Sequence, residues 1–371
     1  MLEGRNCGAF DRERIDAVVS AATAGERGDA TASLAIQDGH SHDLAEIRLH
    51  DGRRLMLKRG RHPWSAGGFD RSRLAAALLR GAGLVAPRHI DLPAELRAEA
   101  LEAYWRIPLP TLRDVWPRLP EPARIEALRS WGALLRRAHA VETPGHGALD
   151  GAARDGHPLQ WFLAHELAVR LFPATAAVWP AGLGTVEGLL EAIPEIAALV
   201  GDRPGALLHG DLHMANVLCE EDRGGVRCVG LLDLEETFCG PPEADLARAE
   251  LLHGPLFGRP LDGGWFDRLL EGYARPVDPL VLGYFRAYHL VNLGYFAALT
   301  GLDAHAAGLA VAAQAELERV HAALRRAPAP QPARRCRGVR GGCRATPSPE
   351  GVGGALRFGS SAAASRSSSR M

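Results

Sequence analysis

Lysine is nearly missing from this chain. Of the 43 basic residues, one is Lys, Lys58, and 42 are Arg. In a sequence this rich in Ala, Arg and Gly, a GC-rich coding bias replaces Lys with Arg wherever either serves. The survivor marks a position where a compact ammonium is needed and a planar guanidinium is not equivalent, unless it is a surface Lys left by chance. Long apolar runs are also missing. None approaches the ~20 residues that a membrane-spanning helix requires. The first fifteen residues, Met1 to Ile15, are polar and charged, so no secretory signal is visible. The six cysteines show no metal-binding spacing. Cys219, Cys228 and Cys239 cluster, while Cys336 and Cys343 have no second pair, which reads as free thiols of a cytoplasmic protein.

Charged residues make up 23% and apolar residues 47% of the 371, ordinary for a soluble globular protein with room for two domains. The net charge of −1 hides an uneven spread. Arg325 to Met371 holds ten Arg against the single Glu350, a surplus of nine, so the body before it carries −10. An acidic body favours a cationic ligand, or simply solubility. From Ala327 on, the composition collapses to Pro, Arg, Gly, Ser and Ala, too apolar-poor to order itself. No nucleic-acid module accompanies the tail's arginines.

The densest signal is His209-Gly210-Asp211-Leu212-His213-Met214-Ala215-Asn216, followed by Leu231-Leu232-Asp233-Leu234-Glu235. Apolar stretches flank a polar turn at Arg223-Gly224-Gly225, so the segment reads as a loop, a hairpin and a second loop. That places Asp211, Asn216 and Asp233 together at one end of the hairpin. Phosphoryl transfer from a nucleoside triphosphate needs a carboxylate to orient the acceptor hydroxyl and two oxygen ligands for Mg²⁺ on the phosphates. This spacing supplies all three. The plainer reading is a hairpin with ordinary turn carboxylates.

Three motifs in order, His209 to Asn216, Asp233 to Glu235, and Asp245-Leu246-Ala247, resemble the signature of the aminoglycoside phosphotransferase family. The resemblance covers Leu34 to Leu324. It implies a two-lobed, protein-kinase-like α+β fold. A β-rich nucleotide-binding lobe would take residues 1–107, a helical lobe with the catalytic loop and acceptor site 108–324, and a disordered basic tail 325–371. It also implies roles. Asp211 is catalytic, Asn216 and Asp233 hold Mg²⁺, and Lys58 grips the phosphates of ATP or GTP. Gly39 and Ser41 approach those phosphates through their backbone. Arg106 and Ile107 form the link that meets the base. Asp245 braces the loop. His213, Glu235, Glu236 and Glu166 are further site candidates, and Glu243 is a weak acceptor contact.

The chain departs from the family pattern at one place. The helix read over Phe69 to Gly81 should carry a Glu that pairs with the lysine, near Ser72, yet no Glu lies between Gly60 and Pro93. Either Asp70 substitutes or another group positions Lys58. Further helices are read at Asp11 to Ala22, Glu121 to Ala140, Gln160 to Phe172, Val186 to Val200, Phe266 to Tyr273, Pro279 to Leu299 and Ala304 to Leu324. A strand is read at Glu99 to Ile107, and Phe238 to Pro242 is read as irregular. The expected activity is phosphorylation of a small-molecule hydroxyl, an antibiotic or other natural product. The alternatives are a metabolic small-molecule kinase, a silent nucleotide-binding protein, or a scaffold acting through its tail. No nucleic acid or membrane partner is expected, and the sequence leaves ATP versus GTP and the oligomeric state open.

Overall fold

The computed structural model describes residues 10–23, 35–38, 42–61, 65–149, 157–222, 225–257, 261 and 263–326. Gly39, Ser41 and the basic tail from Ala327 on lie outside the described residues, while Arg325 and Arg326, read as the start of a disordered tail, end a helix instead. One compact unit ends at Ala327.

Helix α1 (Arg12–Ala22) opens the chain, capped by Asp11, whose side chain accepts from Arg14 N. Strands β1 (Ala35–Asp38), β2 (His42–Arg48), β3 (Arg54–Gly60), β4 (Arg88–His89) and β5 (Leu101–Trp105) form one sheet in the order β1-β2-β3-β5-β4. Strand alternation sorts its faces. Ala45, Ile47, Leu55, Leu57, Leu101 and Ala103 point to one side and form a small core with Ile15, Val18 and Val19 of α1. Leu44, Glu46, Met56, Lys58, Glu102 and Tyr104, paired with one another in register, face the other way. The strand read as Glu99 to Ile107 is shorter, because Ala94–Ala98 coils into a helix and Ala100 takes a positive φ of 54°.

Helix α2 (Ser65–Gly81) starts a turn before the apolar periodicity at Phe69. Its buried Ala75, Ala76 and Leu79 join the large core of the helical region, not the core of the sheet it follows. Helix α3 (Glu121–Ala138) is the spine of that core. Pro122 and Glu121 suit its first turn, Arg136 and Arg137 its last. Leu128, Trp131, Leu134 and Leu135 fill one stripe. Gly132 lets a neighbouring helix, Trp265–Tyr273, approach its backbone, since a Cβ there would lie 2.0 Å from Leu269 O.

The stretch read as one helix from Gln160 is three pieces, α-helical Leu159–His165 and Phe172–Val178 around a π-helical turn, Glu166–Leu171. Val186 to Val200 is likewise two helices, Leu183–Glu191 and Ile193–Val200, broken before Pro194. The long helix Pro279–Leu299 begins with Asp278 as cap, accepting from Leu280 N and Val281 N. It packs against Asp303–Arg326.

Candidate active site

A fully buried strand, β6 (Gly205–Leu208), leads into the loop at His209. After the loop, β7 (Val217–Asp222) and β8 (Gly225–Leu231) form the hairpin, with Val217 opposite Leu231. Leu232 N then donates to Asn216 O over 2.9 Å, which sets Asn216 beside the Leu232–Asp233 turn. The chain returns through β9 (Phe238–Gly240), which pairs antiparallel with β6. Phe238 to Pro242 is therefore partly a strand: Leu207 and Leu208 offer a buried edge for it. Helix α4 (Glu243–Leu252) follows.

The loop is braced from below. Asp245 is 1% exposed and accepts from His209 N at 2.6 Å, from Gly210 N at 2.8 Å and from His139 Nε2 at 3.1 Å. Burial would raise its carboxyl, but His139 and the His209 contacts outweigh it and hold it below the usual carboxylate range. His139 continues the chain of contacts to Tyr273 Oη, 3.1 Å away. His209 Nε2 donates to Leu232 O at 2.7 Å, tying the loop to the Asp233 turn. His253, which follows α4, accepts from Met214 N at 3.3 Å and donates to Ala249 O at 2.9 Å. Gly210 has φ of 82°, and a Cβ there would meet Glu236 O at 2.1 Å, so only glycine fits.

Asp211 leaves this platform toward the cleft. Arg248 Nη2 donates to its Oδ1 at 2.8 Å, and His213 Nε2 stands 3.6 Å from Oδ2. Burial alone would raise the Asp211 carboxyl; His213 and Arg248 overcome that and hold it well below the ordinary range. His213 also caps the short turn Met214–Asn216, accepting from Ala215 N. Asn216 Nδ2 donates to Asp211 O at 2.9 Å. Asp233 sits in the left-handed region at φ 59°, strained for a non-glycine residue, as side chains at working sites often are.

Lys58 lies opposite. Its Nζ is 2.8 Å from Asp233 Oδ1 and 2.7 Å from Glu235 Oε1. Burial would lower its ammonium, but Asp233, Tyr104, Glu235 and Glu102 raise it well above the usual lysine range. Glu235 Oε2 also meets His42 Nε2 at 3.0 Å, and Arg71 Nε of α2 donates to Glu235 O at 3.1 Å. Glu235, not a helix carboxylate, is thus the buried partner of Lys58. Asp70 does not substitute: its side chain is 74% exposed and pairs with Arg73 at 2.9 Å. Ser72 holds the place of the absent Glu, and its Oγ lies 3.3 Å from His89 Nε2, itself 2.9 Å from Glu102 Oε1.

The remaining candidates divide. Arg106 Nε pairs with Glu46 Oε2 at 3.1 Å, and Arg106 N donates to Arg54 O at 2.9 Å. Ile107 follows, half-buried, beside an open cavity of about 670 Å³ lined by Arg53, Arg54, Trp105 and Pro108 to Pro110. Glu236 is exposed next to Gly210. Glu166, at the head of the π-helical turn, is 7% exposed and pairs with Arg170 at 2.6 Å. Burial raises its carboxyl. Glu243 is excluded as an acceptor contact: it is 1% exposed, 3.4 Å from Arg203 Nη1 and accepts from Asp278 N at 3.3 Å. Arg248, His42 and His253 were not legible as site residues, although Arg248 stands immediately after the Asp245-Leu246-Ala247 motif.

The oxygens of Asn216 and Asp233 fit Mg²⁺. With its Nδ2 engaged, Asn216 keeps its Oδ1, and Asp233 is 42% exposed. Among the described residues no group of three or more His, Cys, Asp or Glu forms a cage. Mg²⁺ keeps water and phosphate oxygens, and needs only one or two protein ligands.

A small antiparallel sheet with its lysine facing a D-x-x-x-x-N loop and a second Asp defines a phosphotransferase of protein-kinase-like architecture. The sequence model of the phosphotransferase enzyme family matches residues 34–285, and the chain belongs to that family. Solved structures agree in fold. Aminoglycoside phosphotransferase APH(4)-Ia superposes with a TM-score of 0.60 at 18% identity, covering 81% of this chain and 98% of that one. The macrolide 2'-phosphotransferase MphH from Brachybacterium faecium gives 0.51 at 22% identity, covering 79% and 96%. A protein from Thermobifida fusca assigned as a fructosamine-3-kinase gives 0.54 at 22%, covering 80% and 98%. No curated protein matches the sequence significantly. No helix among the described residues is long and apolar enough to cross a membrane.

Proposed function

We propose that this enzyme moves the γ-phosphoryl group of ATP or GTP onto a hydroxyl of an antibiotic or other natural product, giving resistance or self-protection in the cytoplasm. The carrying observation is the convergence of Asp211, Asn216 and Asp233 at one end of the hairpin, across from Lys58. The nucleotide lies between the lobe of residues 1–107 and that of 108–324. Its base meets the backbone of Arg106 and Ile107, and its phosphates meet Lys58 and the backbone of Gly39 and Ser41. Asn216 and Asp233 would hold Mg²⁺, which would supply charge neutralisation at the phosphate oxygens. Lys58 exchanges Asp233 for the phosphates while Glu235 keeps it in place. Asp211 orients the acceptor hydroxyl and takes its proton late, since the transition state is loose and positioning does most of the work. Asp245 supports the loop without touching substrate.

Related complexes support the two substrates. One APH(4)-Ia structure, at a TM-score of 0.58, holds AMP-PNP and hygromycin B. Another relative, at 0.55, holds streptomycin and ATP. On this chain the exposed Glu236, beside Gly210, and the buried Glu166 are the carboxylates proposed to face the acceptor. They suit a cationic acceptor. The fructosamine-3-kinase likeness favours a second reading, a metabolic kinase of small sugars or amino alcohols.

The test is nucleoside diphosphate release with Mg²⁺, from ATP and from GTP. The acceptors are hygromycin B, streptomycin, a macrolide, a fructosamine and small amino alcohols, with Asp211→Ala as the blank. A signal present for an antibiotic and absent from the blank is the expected result. Turnover confined to the fructosamine or amino alcohols selects the metabolic reading, and nucleotide binding without any transfer refutes both.

A further inference from the structure

Helix α4 reaches the catalytic loop with two side chains from one face. Asp245 takes the loop's backbone N–H groups. Arg248, three residues on and so on the same face, takes the Asp211 carboxylate. We propose that Arg248 is a positioning residue for phosphoryl transfer: it clamps Oδ1 of Asp211 so that Oδ2 is presented to the acceptor hydroxyl. This rests on the function proposed above.

Three observations carry it. First, the loop's backbone is already held by Asp245, His209 and His253, and Arg248 touches none of it. Its one hydrogen-bond partner among the described residues is the Asp211 side chain. Second, the arrangement is a poor way to stabilise a fold. The Arg248 side chain is 16% exposed and its Nε is buried without a hydrogen-bond partner. A buried guanidinium with an unmet donor destabilises relative to an apolar side chain of similar volume, so packing does not account for an arginine here. Third, the geometry leaves the right oxygen open. His213 Nε2, at 3.6 Å, is beyond direct hydrogen bonding to Oδ2, and the Asp211 side chain keeps 30% of its exposure. A carboxylate on a short side chain has few orientations, and one fixed contact selects among them. Misplacing a reacting group by about 1 Å costs on the order of 100-fold in rate, which is the scale on which such a clamp matters.

Two readouts test this on the full chain. Crystal structures of Arg248→Gln and Arg248→Lys with ADP and Mg²⁺ need no acceptor, so they stand even if the acceptor panel is silent. The Asp211 carboxylate is expected to keep its place in the Lys variant and to leave it in the Gln variant. A carboxylate unmoved in the Gln variant overturns the proposal. Kinetics with the acceptor found by the panel form the second readout. Arg248→Gln should lower kcat on the order of 10- to 100-fold with nucleotide KM within about twofold, and Arg248→Lys should recover most of it. Added to Asp211→Asn, Arg248→Gln should cost nothing further, because it acts through that carboxylate. Equal losses in both backgrounds, or a lowered Tm with kcat intact, mark a merely structural arginine. If the Gln variant does not fold, Arg248→Met keeps the volume and carries the same readouts.

Discussion

The two walls of the cleft are held together by different physics. Below, the Asp211 loop hangs from a carboxylate that is 1% exposed and that addresses backbone N–H groups, backed by His139, His209 and His253. Above, Lys58 is held by charged hydrogen bonds between side chains, to Asp233 and Glu235. Backbone hydrogen bonds in a buried setting are directional and cannot be traded for ligand contacts. Ion pairs at a cleft can be, because phosphates and a cation offer the same charges in exchange. Under the proposed function, the floor fixes where transfer occurs and the roof exchanges partners when nucleotide arrives.

The contrast can be broken at several points, from strong to weak. Asp211→Ala removes the group the floor exists to place, so kcat should fall on the order of 10²- to 10⁴-fold while nucleotide binding, read by calorimetry, survives. Turnover near the unsubstituted rate would mean another group orients the hydroxyl. Lys58→Ala should act on the roof alone, raising nucleotide KM on the order of tenfold or more with little change in Tm. Asp245→Ala should do the opposite. It strands two backbone N–H groups and His139, and urea unfolding should show a loss of about 3–5 kcal/mol. If its Tm is unchanged, the floor is not built as described.

The floor also predicts a pH dependence. His289 is 4% exposed, lies against Ala244 O at 2.9 Å and has its imidazole pushed down to about 3 by burial and by the nearby Arg248. The unfolded chain, with an imidazole near 6.5, binds that proton more readily. The stabilisation is therefore complete above about pH 6.5 and drains away as pH falls toward about 3, by about 1.4 kcal/mol per unit. Urea midpoints between pH 7 and 4 should fall more steeply for the unsubstituted chain than for His289→Leu, and parallel slopes would contradict this. The smallest effect is expected at Glu235→Gln. The amide oxygen still accepts from Lys58, so kcat/KM should drop about 3- to 10-fold, on the scale of the charge removed from one hydrogen bond. A loss as large as that of Lys58→Ala would make Glu235 the principal anchor.

What could be read from the chain follows the range of the interactions. The loop, hairpin and second Asp lie within 27 residues of one another, and their spacing alone brings Asn216 beside the Asp233 turn. Lys58 stood out by composition, but its partner did not, because Glu235 is 177 positions away and nothing local pairs them. No carboxylate of α2 pairs with Lys58 for the same reason: the group in that role comes from another part of the chain. Arg248 was missed because an arginine one residue past a motif looks like any other of the 42 in this sequence. Helix limits slipped where Gly67 and Gly68 hide the start of α2, and where the π-helical turn at Glu166 shifts the apolar period.

The single lysine has a practical consequence. Outside the chain's own amino terminus, Lys58 is the only primary amine in the protein, and it is paired with two carboxylates in the cleft. An acylating reagent shaped like a nucleoside triphosphate, with its reactive carbonyl on the terminal phosphate, would leave its label on one side chain. The yield of that one modified peptide then counts occupied clefts in a crude extract, without purification and before any acceptor is known.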